Sequence, residues 1–364
     1  MAIYTDPPEW EAPGKKPPSS KRTEGWKPGD RVPASWLNWF WFSTVNSLRE
    51  IAQALAVTAK ALNDHRNSAD HDGRYYTKSQ LDPIIHYLML NHWTSRDSGT
   101  SSHLRAVAYA DGLWVAVGGN GTILTSTNGT TWSPRDSVTS SDLWGVAYAN
   151  GLWVVVGAGG TILTSPDGTS WTLRTSGTSS NLYDVAYGNG LWVAVGAGGT
   201  ILTSPDGTSW TRRTSGTSIL WGVAYGNGLW VAVGAGGTIL TSTNGTTWSP
   251  RDSVTSSDLW GVAYANGLWV VVGDNGTILT SPDGTSWTRR TSDTSSNLLN
   301  VAYGNGLWVA AGESGTILTS TNGTTWTPCD SGTSSSLLGV AYANGLWVAV
   351  GIGGTILTAR VIIS

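Results

Sequence analysis

From about residue 91 to the end, apolar and polar residues alternate in short runs, and the runs recur. One run reads LWGVAYAN, the next LWVAVG, the next GTILTS and the last TSWTRR. Asn-Gly or Asp-Gly separates the first run from the second, a Gly-rich turn the second from the third, and PDG or TNG the third from the fourth. Two-residue alternation broken by Asn-Gly and Asp-Gly predicts β-hairpins, because those residues tolerate the left-handed conformation that tight hairpin turns require. The glycine that opens GLWV falls at 112, 151, 190, 228, 267, 306 and 345. Seven copies at this period, with four strand-like runs each and no helical periodicity, predict a seven-bladed β-propeller. A stacked β-solenoid is the rival architecture. Residues 126–157 and 242–273 are identical, which points to duplication within the gene.

The ends favour a closed ring. The tryptophan of the fourth run stands at 93, 132, 171, 210, 248, 287 and 326. The last copy lacks its own fourth run, while Trp93 heads a spare one before the first copy. The segment 91–97 is therefore predicted to complete the last blade, which removes an exposed sheet edge.

Residues before 91 follow a different pattern. Residues 1–33 are rich in Pro and Lys and are predicted to be extended. From Ser35 a helix to about residue 66 is expected, with Val45, Leu48, Ala52, Leu55, Ala59 and Leu62 spaced as the seam of a short coiled coil. Residues 67–76 break it. Thr77 with Gln80 resembles a capping box for a second helix at 78–91. The fold class is thus mainly β: a seven-bladed propeller (91–364), preceded by an extended attachment segment (1–33), a helical oligomerisation stalk (34–66) and a connector (67–90).

Composition narrows the partners. Only 12% of residues are charged and the net charge is −3, so no basic surplus points to nucleic acid. No lysine follows Lys78, and the only glutamate after residue 91 is Glu313. The one cysteine, Cys329, leaves no room for an intramolecular disulfide. His71 with neighbouring Asp residues is too sparse to predict a metal site. The first residues lack the apolar core of a signal peptide. The stretch 32–48 is apolar but interrupted by Pro33, Asn38 and Asn46, so no membrane insertion is expected. The 47 Gly mark turns, and the 22 Trp imply an aromatic core or a binding surface.

Because the copies are so alike, they align themselves, and their differences locate candidate function. A pair at the start of the first run varies most: Arg105-Ala106, Trp144-Gly145, Tyr183-Asp184, Trp221-Gly222, Trp260-Gly261, Leu299-Asn300 and Leu338-Gly339. The residue two before each pair also drifts, from His103 through Asp142, Asn181, Ile219, Asp258 and Asn297 to Ser336. A second variable spot lies in the turn after the second run and includes Asp274 and Glu313. Strand alternation places all these positions on one face and the near-constant Asn-Gly turns on the other. The candidate ligand-binding residues are Arg105, Trp144, Tyr183, Asp184, Trp221, Trp260, Leu299, Asn300, Asp274 and Glu313. Aromatic rings can stack on sugars, while Asp, Asn and Arg can bond their hydroxyls.

Catalysis is not expected. Glu313 with Asp274 is the one pair of carboxylates worth naming for a glycosidase, which needs two in different environments. The repeated Arg96, Arg135, Arg174, Arg213, Arg251 and Arg290 form a structural rhythm rather than a cluster. No cofactor is implied.

Two resemblances add to this. SPDGTSW and STNGTTW resemble the Asp-box, or BNR-type, repeat of sialidase-like propellers, shortened by one residue. That resemblance implies a propeller in which Asp167 shapes a turn and Trp171 packs in the blade. DHDGRYYTKSQLD at 70–82 resembles a motif of bacteriophage tail fibres, and GWKPGDRVPASWLNW at 25–39 resembles the start of phage tail proteins. These imply a virion tail protein, attached to the tail or baseplate through residues 1–66 and assembled as a homotrimer. The propeller would then face a host surface polysaccharide or glycoprotein. The alternatives are a tail or assembly propeller that docks another protein, and a degenerate glycan hydrolase.

Overall fold

The computed structural model describes residues 93–216 and 219–360. The attachment segment, the stalk with its coiled-coil seam, and the connector with its tail-fibre-like motif lie outside the described residues. The propeller forms one compact unit, His92–Arg360.

Seven four-stranded antiparallel sheets make the ring. In the first blade the strands are Leu104–Ala110, Leu113–Gly118, Ile123–Ser126 and Ser133–Arg135, from the axis outward. Five more blades repeat this order. The seventh takes Leu337–Ala343, Leu346–Gly351 and Ile356–Arg360 from the end of the chain, and Thr94–Arg96 from the beginning as its outer strand. Thr94 pairs with Thr358 and Arg96 with Ile356, so the predicted closure is present. Sealing blade 7 with the far end of the chain leaves the ring no blade that can peel away alone.

The core lies between blades rather than within them. Cluster after cluster draws on two neighbours; Leu104, Trp114 and Leu124 of blade 1 pack on Leu346, Val348 and Ile356 of blade 7. The second-strand tryptophans, from Trp114 to Trp347, are almost wholly enclosed. Each packs against the tyrosine of its own inner strand, with ring centroids 4.8–5.0 Å apart.

The SPDGTSW segment shapes a turn and packs in the blade, with Trp171 buried. Asp167 Oδ1 accepts from the amides of Thr169 and Ser170 at 2.8 and 2.9 Å, and Ser165 Oγ–H donates to the same carboxylate. Those amides hold the Asp167 carboxyl well below the usual carboxylate range. Gly168 in this turn has φ +72°, and a Cβ there would lie 2.6 Å from Leu113 Cδ2 of the preceding blade. Glycine here therefore serves both the turn and the close approach of two blades. The arginine rhythm is also structural. In six blades an outer-strand arginine Nε–H donates to a threonine Oγ1 on the third strand at 2.8–2.9 Å. Cys329 takes the arginine's place in blade 6, its sulfur 3.4 Å from Thr319 Oγ1.

Candidate functional site: an aromatic crescent at one mouth of the propeller

Every inner strand carries a one-residue irregularity in its register, between Leu104 and Ala106 in blade 1 and at the equivalent place in the other six. The unpaired residues are Arg105, Trp144, Tyr183, Trp221, Trp260, Leu299 and Leu338. A bulge re-aims the side chain it carries. Here the bulges sit where the inner strands begin, so these seven half-buried side chains border one mouth of the ring.

Neighbours in this ring touch. Trp144 and Tyr183 have centroids 5.0 Å apart, Tyr183 and Trp221 4.4 Å, and Trp221 and Trp260 4.5 Å. The interplanar angles, 33–43°, follow the fan of the blades. Arg105 Cζ lies 5.8 Å from the Trp144 ring centroid, within cation–π range. A continuous crescent therefore runs over blades 1 to 5, with Leu299 and Leu338 at the equivalent places in blades 6 and 7. Of the 17 tryptophans in the propeller, fourteen belong to the repeating core positions and three to the crescent.

The variable turns lie beside it. Each follows the second strand, as Gly119–Gly121 does in blade 1, and meets the start of the next inner strand. In blade 5, Asp274 Oδ1 accepts the Trp260 indole N–H at 2.6 Å. The equivalent residue in blade 4 is Ala235, and the Trp221 indole N–H is buried without a partner. Glu313 occupies the same turn of blade 6 and is exposed. No contact joins Asp274 to Glu313 among the described residues. Arg105 Nη2 lies 3.6 Å from Asp142 Oδ2.

Two residues singled out in the sequence do not join the crescent. Asp184 and Asn300 follow the bulge and turn along the blade joint. Asp184 Oδ1 accepts from the Val185 amide at 2.8 Å, and its Oδ2 from the Val223 amide of the next blade at 2.9 Å. Asn300 Oδ1 accepts from Val340 N of the next blade at 3.3 Å. A Cβ at Gly145 would lie 2.9 Å from Asp184 Cα and one at Gly261 3.0 Å from Asn300 Cα, so glycine in the preceding blades leaves room for both. The residue as a whole is only half-buried, but the Asp184 carboxyl is enclosed at this joint. That enclosure pushes its pKa up to about 7 against the pull of the two amides.

The drifting residue two before each pair also has a structural explanation. Its side chain accepts an amide of the preceding blade's turn: His103 from Gly353, Asp142 from Asn120, Asn181 from Gly159, Asp258 from Gly236, Asn297 from Asn275 and Ser336 from Ser314, at 2.7–3.4 Å. The variation among His, Asp, Asn and Ser preserves an acceptor. Ile219 is the exception.

Sequence comparison missed part of this face. Val138 and Val254 adopt φ +56° and +55°, where four of the other copies have glycine. β-Branched residues are strained there. They are 55% and 53% exposed, and with Ile352 at 39% they put three of the four large exposed apolar side chains among the described residues on the crescent's face. A valine in a register of glycines was the available signal. The described residues begin at Trp93 and end at Arg360 on the opposite face. The closing strand from Thr94 runs antiparallel to Ile356–Arg360, so Trp93 and Arg360 both lie at the hairpin end.

Fold and rim together define a seven-bladed β-propeller with one diversified aromatic mouth. No family model matches the chain, and no curated protein matches it. Solved structures do. A structure titled YCF48 bound to D1 peptide superposes with TM-score 0.63 at 21% identity, over 74% of this chain and 94% of that one. YCF48 from Cyanidioschyzon merolae gives 0.61 at 19%, over 74% and 98%. The WD40 β-propeller domain of Doa1 gives 0.61 at 15%, over 74% and 95%. At these identities the likeness shows the fold.

Proposed function

We propose that this chain is a receptor-binding protein of a phage-type tail fibre, and that its propeller holds a host surface glycan against the aromatic crescent. The observation that carries the reading is the placement of four contiguous rings and Arg105 at the mouth opposite the ends of the described residues, Trp93 and Arg360. Large aromatic and Arg side chains concentrate binding energy where they can be desolvated. The tail-fibre-like motif at 70–82 supports attachment of the N-terminal region to a virion, as a trimer. Several weak sites on several chains would then add through avidity. The role proposed is binding.

A second reading, docking of a protein segment, has its own support. The crescent's rings cover one another's faces and so present edges as well as faces. The YCF48 neighbour is described as bound to a peptide. The experiment is binding of the full chain to candidate host cells, beside a Trp144→Ala, Trp221→Ala, Trp260→Ala variant shown by its melt to be folded. Loss of binding in the variant, and on stripping surface polysaccharide from the cells, supports the first reading. Loss on protease treatment alone supports the second. Equal binding by variant and wild type removes the crescent from both.

A further inference from the structure

The crescent is unevenly charged. At the blade 1 end, Arg105 is offset by Asp142 at 3.6 Å. At blades 4 to 6 the rim holds Asp258, Asp274 and Glu313. Arg105 and His103 are the only basic residues at the inner-strand starts and variable turns among the described residues. Asp274 is fixed against the rings, because Trp260 donates to its Oδ1 at 2.6 Å, and no bond to its Oδ2 occurs among the described residues. Asp258 spends Oδ1 on the Gly236 amide at 2.7 Å, and it holds in blade 5 the register position that Asp142 holds in blade 2. Glu313 is exposed, with no ion pair among the described residues.

We infer that the blade 4 to 6 end of the crescent takes a positively charged amino group, and that the glycan it binds carries free amino sugars. This rests on the glycan reading given above. An ammonium gains twice at this place: from the negative face of the ring that ends the crescent, Trp260, which no further ring covers on the blade 6 side, and from carboxylates that have no cation of their own among the described residues. A hydroxyl or an acetamido group at the same position gains neither. The requirement for a cation also accounts for acids beside the Trp221–Trp260 end, where the rim offers no basic partner among the described residues.

The test uses the full chain and its tryptophan fluorescence, titrated at low and high salt with three probes: glucosamine trimer, N-acetylglucosamine trimer and trilysine. The glucosamine trimer is expected to bind about tenfold more tightly than its acetylated form, with the difference shrinking as salt rises. Glu313→Gln, at an exposed side chain, should cost about threefold for the glucosamine trimer and nothing for the acetylated one. Adding Asp274→Asn should bring the two probes together. Asp111→Asn, on the hairpin face where other copies already have Asn, should change neither, which separates a site from general attraction to an acidic protein. Equal affinities, a preference for the acetylated trimer, or a preference that survives both variants overturns the inference while leaving the glycan reading to the cell assay. Trilysine matching the glucosamine trimer, with the same dependence on Glu313, overturns the amino sugar as occupant in favour of a basic peptide. No binding by any probe overturns the inference.

Discussion

Ile219 is the one residue of its register that cannot accept the amide of the preceding blade's turn. The other six do so through His, Asp, Asn or Ser. Its backbone is in the common position, since the Ile219 carbonyl accepts from Ala235 N at 3.0 Å, as the Asp142 carbonyl accepts from Ala158 N at 2.8 Å. Among the described residues Gly198 N–H has no acceptor. Ile219→Asn should therefore place Oδ1 as Asn181 does, where it accepts Gly159 N–H at 3.0 Å. One such bond contributes about 0.5–1.5 kcal/mol. For a domain of this size about 1 kcal/mol moves the melting midpoint about 2–4 °C. Ile219→Ala is the reference, because it removes the same apolar side chain without adding an acceptor, and Asn181→Ala is the converse. Calorimetry of the full chain should give a midpoint order of Ile219→Asn above Ile219→Ala, and Asn181→Ala below wild type. If Ile219→Asn melts with Ile219→Ala and Asn181→Ala melts with wild type, the clasp between blades contributes nothing and the reasoning fails.

Val138→Gly and Val254→Gly should each stabilise by about 1 kcal/mol, because a left-handed valine gives way to the residue suited to that conformation; denaturant midpoints check this. Gly168→Ala and Gly177→Ala share φ near +70°, but only the first drives a Cβ to within 2.6 Å of another blade. We expect about 1 kcal/mol lost at 177 and about 2–4 kcal/mol at 168, and equal losses would show that blade contact is not what holds Gly168. Asp184 keeps a proton in the folded chain up to about pH 7 that an unfolded chain releases near pH 3.8. Stability should therefore fall as pH rises between those values, and Asp184→Asn should flatten that slope in melts run across the range. The absence of any difference in slope would place the Asp184 carboxyl in water.

The architecture could be read from the chain because it is written locally and repeatedly. Asn-Gly and Asp-Gly pairs set the hairpins, and alternation sets the strands. The misplaced fourth run at Trp93 disclosed the closure between residues that lie more than 250 apart in sequence. Comparison of copies also found the mouth: Arg105, Trp144, Tyr183, Trp221 and Trp260 do meet there.

Comparison alone could not sort the varying positions by what they touch. Asp184 and Trp221 vary in adjacent columns, yet one side chain enters a blade joint and the other borders the mouth. Successive residues of a strand already face opposite ways, and the bulge, a property of two paired strands, sets which of them is turned to the mouth. Likewise His103 and Asp142 vary as a ligand-binding residue would, but their variation preserves an acceptor for an amide supplied by another blade. Periods and turns depend on a residue and its near neighbours, and so the sequence determined them. Clasps, stacked rings and the unpaired charge at one end of the crescent depend on side chains from successive copies arriving at one place, and only the closed ring decided those.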